Sequence, residues 1–197
     1  MKLFQYVLVV VVGYLLGSVN VSILISKLMG GDVRQKGSGN AGATNMARVY
    51  GLGVGVVTMA LDMVKAALAM LLGQRLLGDW GLMAGGLACI VGHCFPAFHS
   101  FRGGKGISVG GMIAFWIDWR VGLFVVALFA LGAVLSKKVS VRSICAAVGI
   151  SIAALIFGVS LPRLLLAVLS MAVALFQHRA NMKRLSDGTE PDFKPKN

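Results

Sequence analysis

Residues 37–48 hold the densest run of side chains able to do chemistry: Gly37-Ser38-Gly39-Asn40-Ala41-Gly42-Ala43-Thr44-Asn45, followed by Arg48. Three glycines permit positive φ and close backbone approach to a ligand, while Ser38, Asn40, Thr44 and Asn45 supply neutral hydrogen-bonding groups. With Arg34 and Lys36 before it and Arg48 after, the stretch reads as an anion cradle, and phosphate is the anion it suits best. Two soluble motifs share this spacing and both fail. Gly37-x-Gly39-x-x-Gly42 matches a dinucleotide fingerprint, but that motif needs a preceding strand, and a long apolar helical run precedes it here. Gly37-x4-Gly42-Ala43-Thr44 has P-loop spacing, but Ala43 stands where the phosphate-binding lysine belongs. Taken alone, the loop also admits the plain reading of a flexible glycine-rich connector.

A second group follows downstream. Gly92-His93-Cys94-Phe95-Pro96 leads through Phe98 and Phe101 to Gly103-Gly104-Lys105-Gly106, a short aromatic loop lying at or dipping into a membrane surface. Lys105, flanked by glycines that leave backbone amides open, is a second phosphate-binding candidate. Ser143 closes a basic polar loop at 136–143, and His178 and Asn181 share a face if the last helix continues past Phe176. Asp62 and Lys65, three apart inside an apolar run, suit a neutralised buried pair or the edge of a site. Acids are scarce around these motifs. No His is followed five positions later by Asp, which excludes the His-x4-Asp acyltransferase box, and no carboxylate cluster points to a metal. Neither metal nor cofactor is expected.

These residues need a frame, and composition says which kind. Of the 197 residues 57% are hydrophobic, more than a soluble domain can hide and enough for several bilayer spans in one domain. The net charge of +12 fits positive-inside loops, anionic lipid and an anionic substrate, and no nucleic-acid partner is implied. Cys89, Cys94 and Cys145 lack metal spacing and read as small core residues without a disulfide. The spans fall at Leu3–Leu28 with Gly13 and Gly17 in a GxxxG arrangement, Gly51–Leu72, Trp80–Val91, Ile107–Leu135, Ile144–Phe157 and Leu161–Phe176. A turn is expected at Gln74–Asp79.

The stretch Ile107–Leu135, interrupted by Asp118-Trp119-Arg120, is long for one span and short for two. Splitting it gives seven transmembrane helices, several short or tilted, and puts 14 of the 19 Lys and Arg on the side of the glycine-rich loops. The expected protein is therefore an all-α integral membrane protein. It has one seven-helix domain at residues 1–185, an outside N-terminus, cytoplasmic motif loops and a flexible cytoplasmic tail at 186–197.

The motifs together resemble a known family, the bacterial integral-membrane glycerol-3-phosphate acyltransferases that use acyl phosphate as donor, the PlsY type. The matching residues are Asp32-x-Arg34-x-x-Gly37-Ser38-Gly39-Asn40-x-Gly42-Ala43-Thr44-Asn45, Asp62-x-x-Lys65 and Gly92-His93-x-Phe95-Pro96-x-Phe98-x-x-Phe101-x-Gly103-Gly104-Lys105-Gly106. Val139-Ser140-x-x-Ser143 and His178-Arg179-x-Asn181-x-x-Arg184-Leu185 complete the set. The chain departs from the family pattern at Asn20, where a proline is usual, and at Arg142, where the residue is usually small and where an arginine would bear on how glycerol 3-phosphate sits.

The resemblance implies transfer of a fatty acyl group from acyl phosphate to a hydroxyl of sn-glycerol 3-phosphate, giving lysophosphatidic acid and phosphate in the bacterial inner membrane. Ser38 and its loop (Gly37, Gly39, Asn40, Thr44, Asn45), with Arg48, are expected to hold the acyl phosphate. Lys105 with Gly103 and Gly104, Ser143, His178 and Asn181 are expected to hold the acceptor, with His93 nearby. The proton acceptor is left open between His178, His93 and the leaving phosphate. The expected partners are the two substrates and membrane lipids, with no obligate protein partner. The rival reading is a small membrane transporter for a phosphorylated anion or lipid, which predicts a polar path through the spans.

Overall fold

The computed structural model describes residues 1–196, and every regular element among them is helical. The first apolar run forms α1 (Lys2–Ser18) and α2 (Val21–Leu28) rather than one helix. Asn20 makes the break. Its side-chain oxygen accepts from Ile23 N at 3.2 Å as the N-cap of α2, and its amide nitrogen reaches Ala41 O at 3.5 Å. A capping side chain thus does by hydrogen bonding what a proline would do by geometry. After a one-turn 3-10 helix at Val33–Gln35, capped by Asp32, the cradle loop enters α3 (Ala43–Tyr50).

α4 (Leu52–Cys94) is 43 residues long but folds back on itself at Gly78, whose φ of 62° and ψ of −148° only glycine adopts without strain. The turn expected over 74–79 is a single residue. Its two halves touch through small residues: a Cβ on Gly73 would stand 2.0 Å from Gly81 O, and one on Gly85 would stand 2.4 Å from Ala69 O. α1 packs on the second half in the same way, with Gly13 against Gly85 and Ala88, and Gly17 against Cys89. The Gly13/Gly17 spacing predicts this close approach.

α5 (Ile107–Ile117) and α6 (Trp119–Leu135) are separated by an extended Asp118, whose carboxylate accepts from Arg120 N at 2.8 Å. The break expected at Asp118-Trp119-Arg120 is present. α7 (Val139–Ile156), α8 (Leu161–Gln177) and α9 (Arg179–Ser186) follow, with α9 bent 57° from α8 at His178. Met70, Leu82, Ile90, Ile113 and Leu166 fill the core, whereas Leu61, Leu68, Leu123, Leu131 and Leu155 are exposed on its outside. An apolar outer surface of that extent belongs in hydrocarbon. Three stretches, Lys2–Leu28, Leu52–His99 and Val139–Ile156, are individually long and apolar enough to cross a bilayer, and α8 with α9 qualifies as a bent pair.

Inside this bundle Asp62 and Lys65 of α4 meet at 2.8 Å, both buried. Lys65 Nζ also donates to Gly17 O at 3.2 Å and Val19 O at 2.9 Å, carbonyls left free where α1 ends. His93 Nδ1, on the second half of α4, lies 3.1 Å from the same ammonium. One cation therefore joins the end of α1 to both halves of α4. Lys65→Met would leave the buried Asp62 carboxylate only His93 Nδ1, 3.5 Å away, as a partner, and the expected loss is about 3–5 kcal/mol. Thermal unfolding in detergent should show a large fall in Tm, partly recovered in Asp62→Leu/Lys65→Met. Equal Tm values for the single and double variants would show that charge compensation is not what Lys65 contributes.

Candidate active site

The cradle loop is shaped from within by Asn45, in the first turn of α3. Its Oδ1 accepts from Ser38 N at 2.8 Å, and its Nδ2 faces Val33 O, Lys36 O and Asn40 O at 3.1, 3.0 and 3.0 Å. Gly37 and Gly39 take φ of 59° and 72°. A Cβ on Gly37 would lie 2.3 Å from Asn45 Oδ1, so glycine is needed there for both conformation and space. The amide of Asn45 is thus fully engaged with backbone. Ser38 stays exposed. Arg34 turns away from the loop: its guanidinium pairs with Asp32 at 2.7 Å and donates to His99 O at 3.0 Å. Lys36 lies over the Tyr50 ring.

The Lys105 loop is pinned by its glycines. Gly103 N and Gly104 N donate to Cys94 O and His93 O at 3.2 and 3.1 Å, and a Cβ on Gly104 would lie 2.2 Å from His93 Nε2. Gln177, at the end of α8, donates to Cys94 O at 3.1 Å and to Gly104 O at 3.2 Å, clamping this loop to the last helix pair. Lys105 Nζ then donates to Asn181 Oδ1 at 2.5 Å, Asn181 Nδ2 to Glu190 Oε1 at 2.7 Å, and Arg184 Nε to Glu190 Oε2 at 2.8 Å. His178 holds Ala174 O at 2.8 Å through Nδ1, a contact that requires the proton on that nitrogen and leaves the Nε2 lone pair free.

These parts meet in one cavity of about 380 Å³. Ser38, Asn40, Thr44, Asn45 and Arg48 line it from the cradle, His93 and Lys105 from the second loop, Ser143 from α7, and His178 and Asn181 from the bend between α8 and α9. Gly37, Gly39, Gly103 and Gly104 do not line it, and their place is in the loop backbones. Arg142 is also off the cavity, donating to Ser136 O at 2.9 Å. Past the polar end the cavity continues between helices, walled by Met59, Met63, Phe115, Val126, Phe129 and Ile150. A cationic mouth on an apolar arm suits a molecule with an anionic head and a hydrocarbon tail.

Two contributors escape a reading of the sequence. Gln177 sits one residue before the motif and has no charge to mark it. Glu190 lies in the stretch expected to be a loose tail, yet it is buried and reaches Asn181 and Arg184. It is the only glutamate in the chain, and its neighbour Pro191 lines the cavity beside it. Electrostatics follow from this packing. Burial pushes the Lys105 ammonium down to about 8; Glu190 opposes the fall, while Arg184 and Arg48 add to it. Burial works to raise the Glu190 carboxyl, but hydrogen bonds from Asn181, Ser140 and Arg184, with the Arg184 charge, outweigh it and hold the group below the ordinary carboxylate range. Lys105, Arg48 and Arg184 therefore form a cationic cluster around a single acid.

The architecture has counterparts among known proteins. Two crystal structures of PlsY, an integral membrane glycerol 3-phosphate acyltransferase, superpose on almost the whole chain. The glycerol 3-phosphate form gives a TM-score of 0.91 at 34% identity, covering 96% of each chain. The lysophosphatidic acid form gives 0.89 at 33% identity, covering 96% of this chain and 95% of the other. The glycerol-3-phosphate acyltransferase of Rubrobacter xylanophilus is 41% identical over 188 residues, 95% of this chain and 94% of its own length. A family model described as glycerol-3-phosphate acyltransferase matches residues 7–188. The chain belongs to the glycerol-3-phosphate acyltransferase family.

Proposed function

We propose that this chain moves a fatty acyl group from acyl phosphate to a hydroxyl of glycerol 3-phosphate, releasing phosphate. It is a membrane acyltransferase that makes lysophosphatidic acid, the first acylated intermediate of phospholipid synthesis. One observation carries the reading: a single cavity has Ser38, Arg48, Lys105 and Arg184 at its mouth and an apolar arm behind them. Both substrates carry phosphate, and only the donor carries a hydrocarbon tail.

In the proposed arrangement Ser38 and the cradle amides, with Arg48, hold the donor phosphate. Lys105, Ser143 and Asn181 hold the phosphate of the acceptor, and His178 Nε2 accepts a hydrogen bond from its hydroxyl. The hydroxyl oxygen attacks the acyl carbonyl carbon, the bond from that carbon to the phosphate oxygen breaks, and phosphate leaves with the electron pair. The hydroxyl proton passes to His178 and on to the departing phosphate. A mixed anhydride is already activated, so no acyl-enzyme is required, and the site works by holding the reactants together and stabilising charge on the leaving group.

The membrane arrangement we propose has seven crossings. They are α1 with α2, the two halves of α4 on either side of Gly78, α5, α6, α7 and α8. The cradle, the Lys105 loop and the α8–α9 bend then share the cytoplasmic face, and residues 186–197 follow on that side. The clustering of these loops around one cavity supports this orientation, as does the distribution of Lys and Arg.

Purified protein in lipidic medium, given labelled glycerol 3-phosphate and palmitoyl phosphate, should form lysophosphatidic acid and phosphate. Product formed from palmitoyl-CoA alone would overturn the donor assignment, and no product from either donor would favour a transporter. Because burial pushes the Lys105 ammonium down to about 8, its charge is present below that pH and lost above it. KM for glycerol 3-phosphate should accordingly climb as pH passes about 8, and Lys105→Arg, which stays charged, should flatten the climb. A parent KM that is flat between about pH 7 and 9 would remove the Lys105 charge from acceptor binding. His178→Ala should lower kcat by about two to three orders of magnitude. Turnover close to the parent's would hand the proton directly to the leaving phosphate.

A further inference from the structure

We propose that Gly110 and Gly111 of α5 determine how much of an acyl chain the site admits, by keeping open a passage that any larger side chain would narrow. The inference rests on the acyl-transfer reading and concerns the apolar arm of the same cavity.

Two consecutive glycines inside an 11-residue helix need a reason, because each costs about 1 kcal/mol relative to alanine. Close packing is the reason at most other helical glycines of the bundle, the exposed Gly53 in the first turn of α4 excepted. At Gly13, Gly17, Gly73, Gly81, Gly85 and Gly92 a Cβ would stand under 3.0 Å from backbone of a neighbouring stretch. Backbone conformation is the reason at Gly78. Neither applies at Gly110 and Gly111. Both have ordinary helical backbone, and a Cβ on either meets nothing within 4 Å. What they have in common is a place on the cavity wall.

Their position along α5 says which part of a ligand they pass. The helix starts directly after Lys105 and Gly106, at the polar end of the cavity. By helix rise Gly111 lies about 6 Å along the axis from Ile107, and Phe115 lies about 12 Å along it. A donor whose phosphate sits between Ser38 and Arg48, in the polar end of the cavity, thus brings the methylenes beyond its carbonyl past Gly110 and Gly111. Further on, Phe115 is fixed against α6, where a Cβ on Gly122 would fall 2.3 Å from its ring. Phe115, Met59 and Val126 line the cavity and are also exposed on the outside of the bundle, so the arm opens sideways toward lipid. A second observation marks the space as one made for an occupant. Ser170 lines it with a buried hydroxyl that has no protein partner among the described residues, where closed packing would have satisfied it.

The test compares kcat/KM for palmitoyl phosphate with kcat/KM for hexanoyl phosphate. Gly111→Leu should lower the palmitoyl-to-hexanoyl ratio by about tenfold or more, since several methylenes lose their place in the arm. Gly53→Leu is the control. Gly53 lies on the outside of α4, off the cavity and with equally open space beside it, so the ratio should stay at the parent value. If Gly111→Leu does not fold, Gly111→Ala and Gly110→Ala decide; they add helix propensity and should lower the ratio in the same direction by a few-fold. An unchanged ratio in an active Gly111 or Gly110 variant overturns this proposal and leaves the acyl-transfer reading intact. A parent that makes no product from either donor overturns both.

Discussion

A lysine ammonium cannot sit in an apolar bundle without partners, and the partners that Lys65 finds set the geometry of everything above it. Removing an isolated charge from water costs far more than any single packing contact returns. The chain must therefore bring Asp62, the carbonyls of Gly17 and Val19, and His93 to one point. Two of these come from the frayed end of α1, which exists only because Asn20 starts a new helix there. The third comes from the far half of α4, so the fold-back at Gly78 is tied at its open end as well. His93 and Cys94 then offer their carbonyls to Gly104 and Gly103. The Lys105 loop hangs from a helix end whose position the buried cation has fixed.

The same economy divides the polar residues into those that build loops and those that face the cavity. Asn45, although part of the cavity wall, gives its whole amide to the cradle backbone, and Arg34 gives its guanidinium to Asp32 and His99, which leaves Ser38, Asn40, Thr44 and Arg48 as the cradle side chains on the cavity that the loop backbone does not engage in this way. Gln177 does for the second loop what Asn45 does for the first. The loops that carry Ser38 and Lys105 are each braced by an amide side chain, Asn45 for one and Gln177 for the other. Such backing lets a site made of loops keep the precision of one built on helices.

What was legible in the sequence follows from how far each signal reaches. Two charged residues, Asp118 and Arg120, on either side of Trp119 in a run of apolar residues mark a break, and the break is there. Small residues four apart on α1 mark a close helix contact, and the contact forms. Asn20 carried no comparable warning, because a single asparagine in an apolar helix is tolerated unless a neighbour gives its side chain work. That neighbour, Ala41, is 21 positions away. Among the motif residues, pattern could not separate Asn45 from Ser38 or Gly104 from Lys105, since both members of each pair sit in the same loop. Only the fold shows which one shapes the loop backbone and which one is left for a ligand. Glu190 was hidden for another reason: after Ser186 no helical period remains to predict where a side chain will land.

The seating of Glu190 also explains how a cluster of cations can exist before any phosphate arrives. Lys105, Arg48 and Arg184 repel one another, and with only water between them the loops that carry them would be pushed apart. A carboxylate held by Asn181 and Arg184 offsets part of that repulsion, yet it does not bond to Lys105 itself, whose hydrogen bond goes to the neutral oxygen of Asn181. The acid thus steadies the cluster from behind without capturing the cation in front. Had Lys105 been paired directly with a carboxylate, an incoming phosphate would have had to displace it. With an amide in between, the lysine is positioned but not neutralised, as the proposed phosphate contact requires. The price is a lysine that is only partly charged above about pH 8, and a phosphate dianion bound there as proposed would reverse that by drawing a proton onto it. On the proposed reading, acceptor binding and proton uptake by Lys105 are one event.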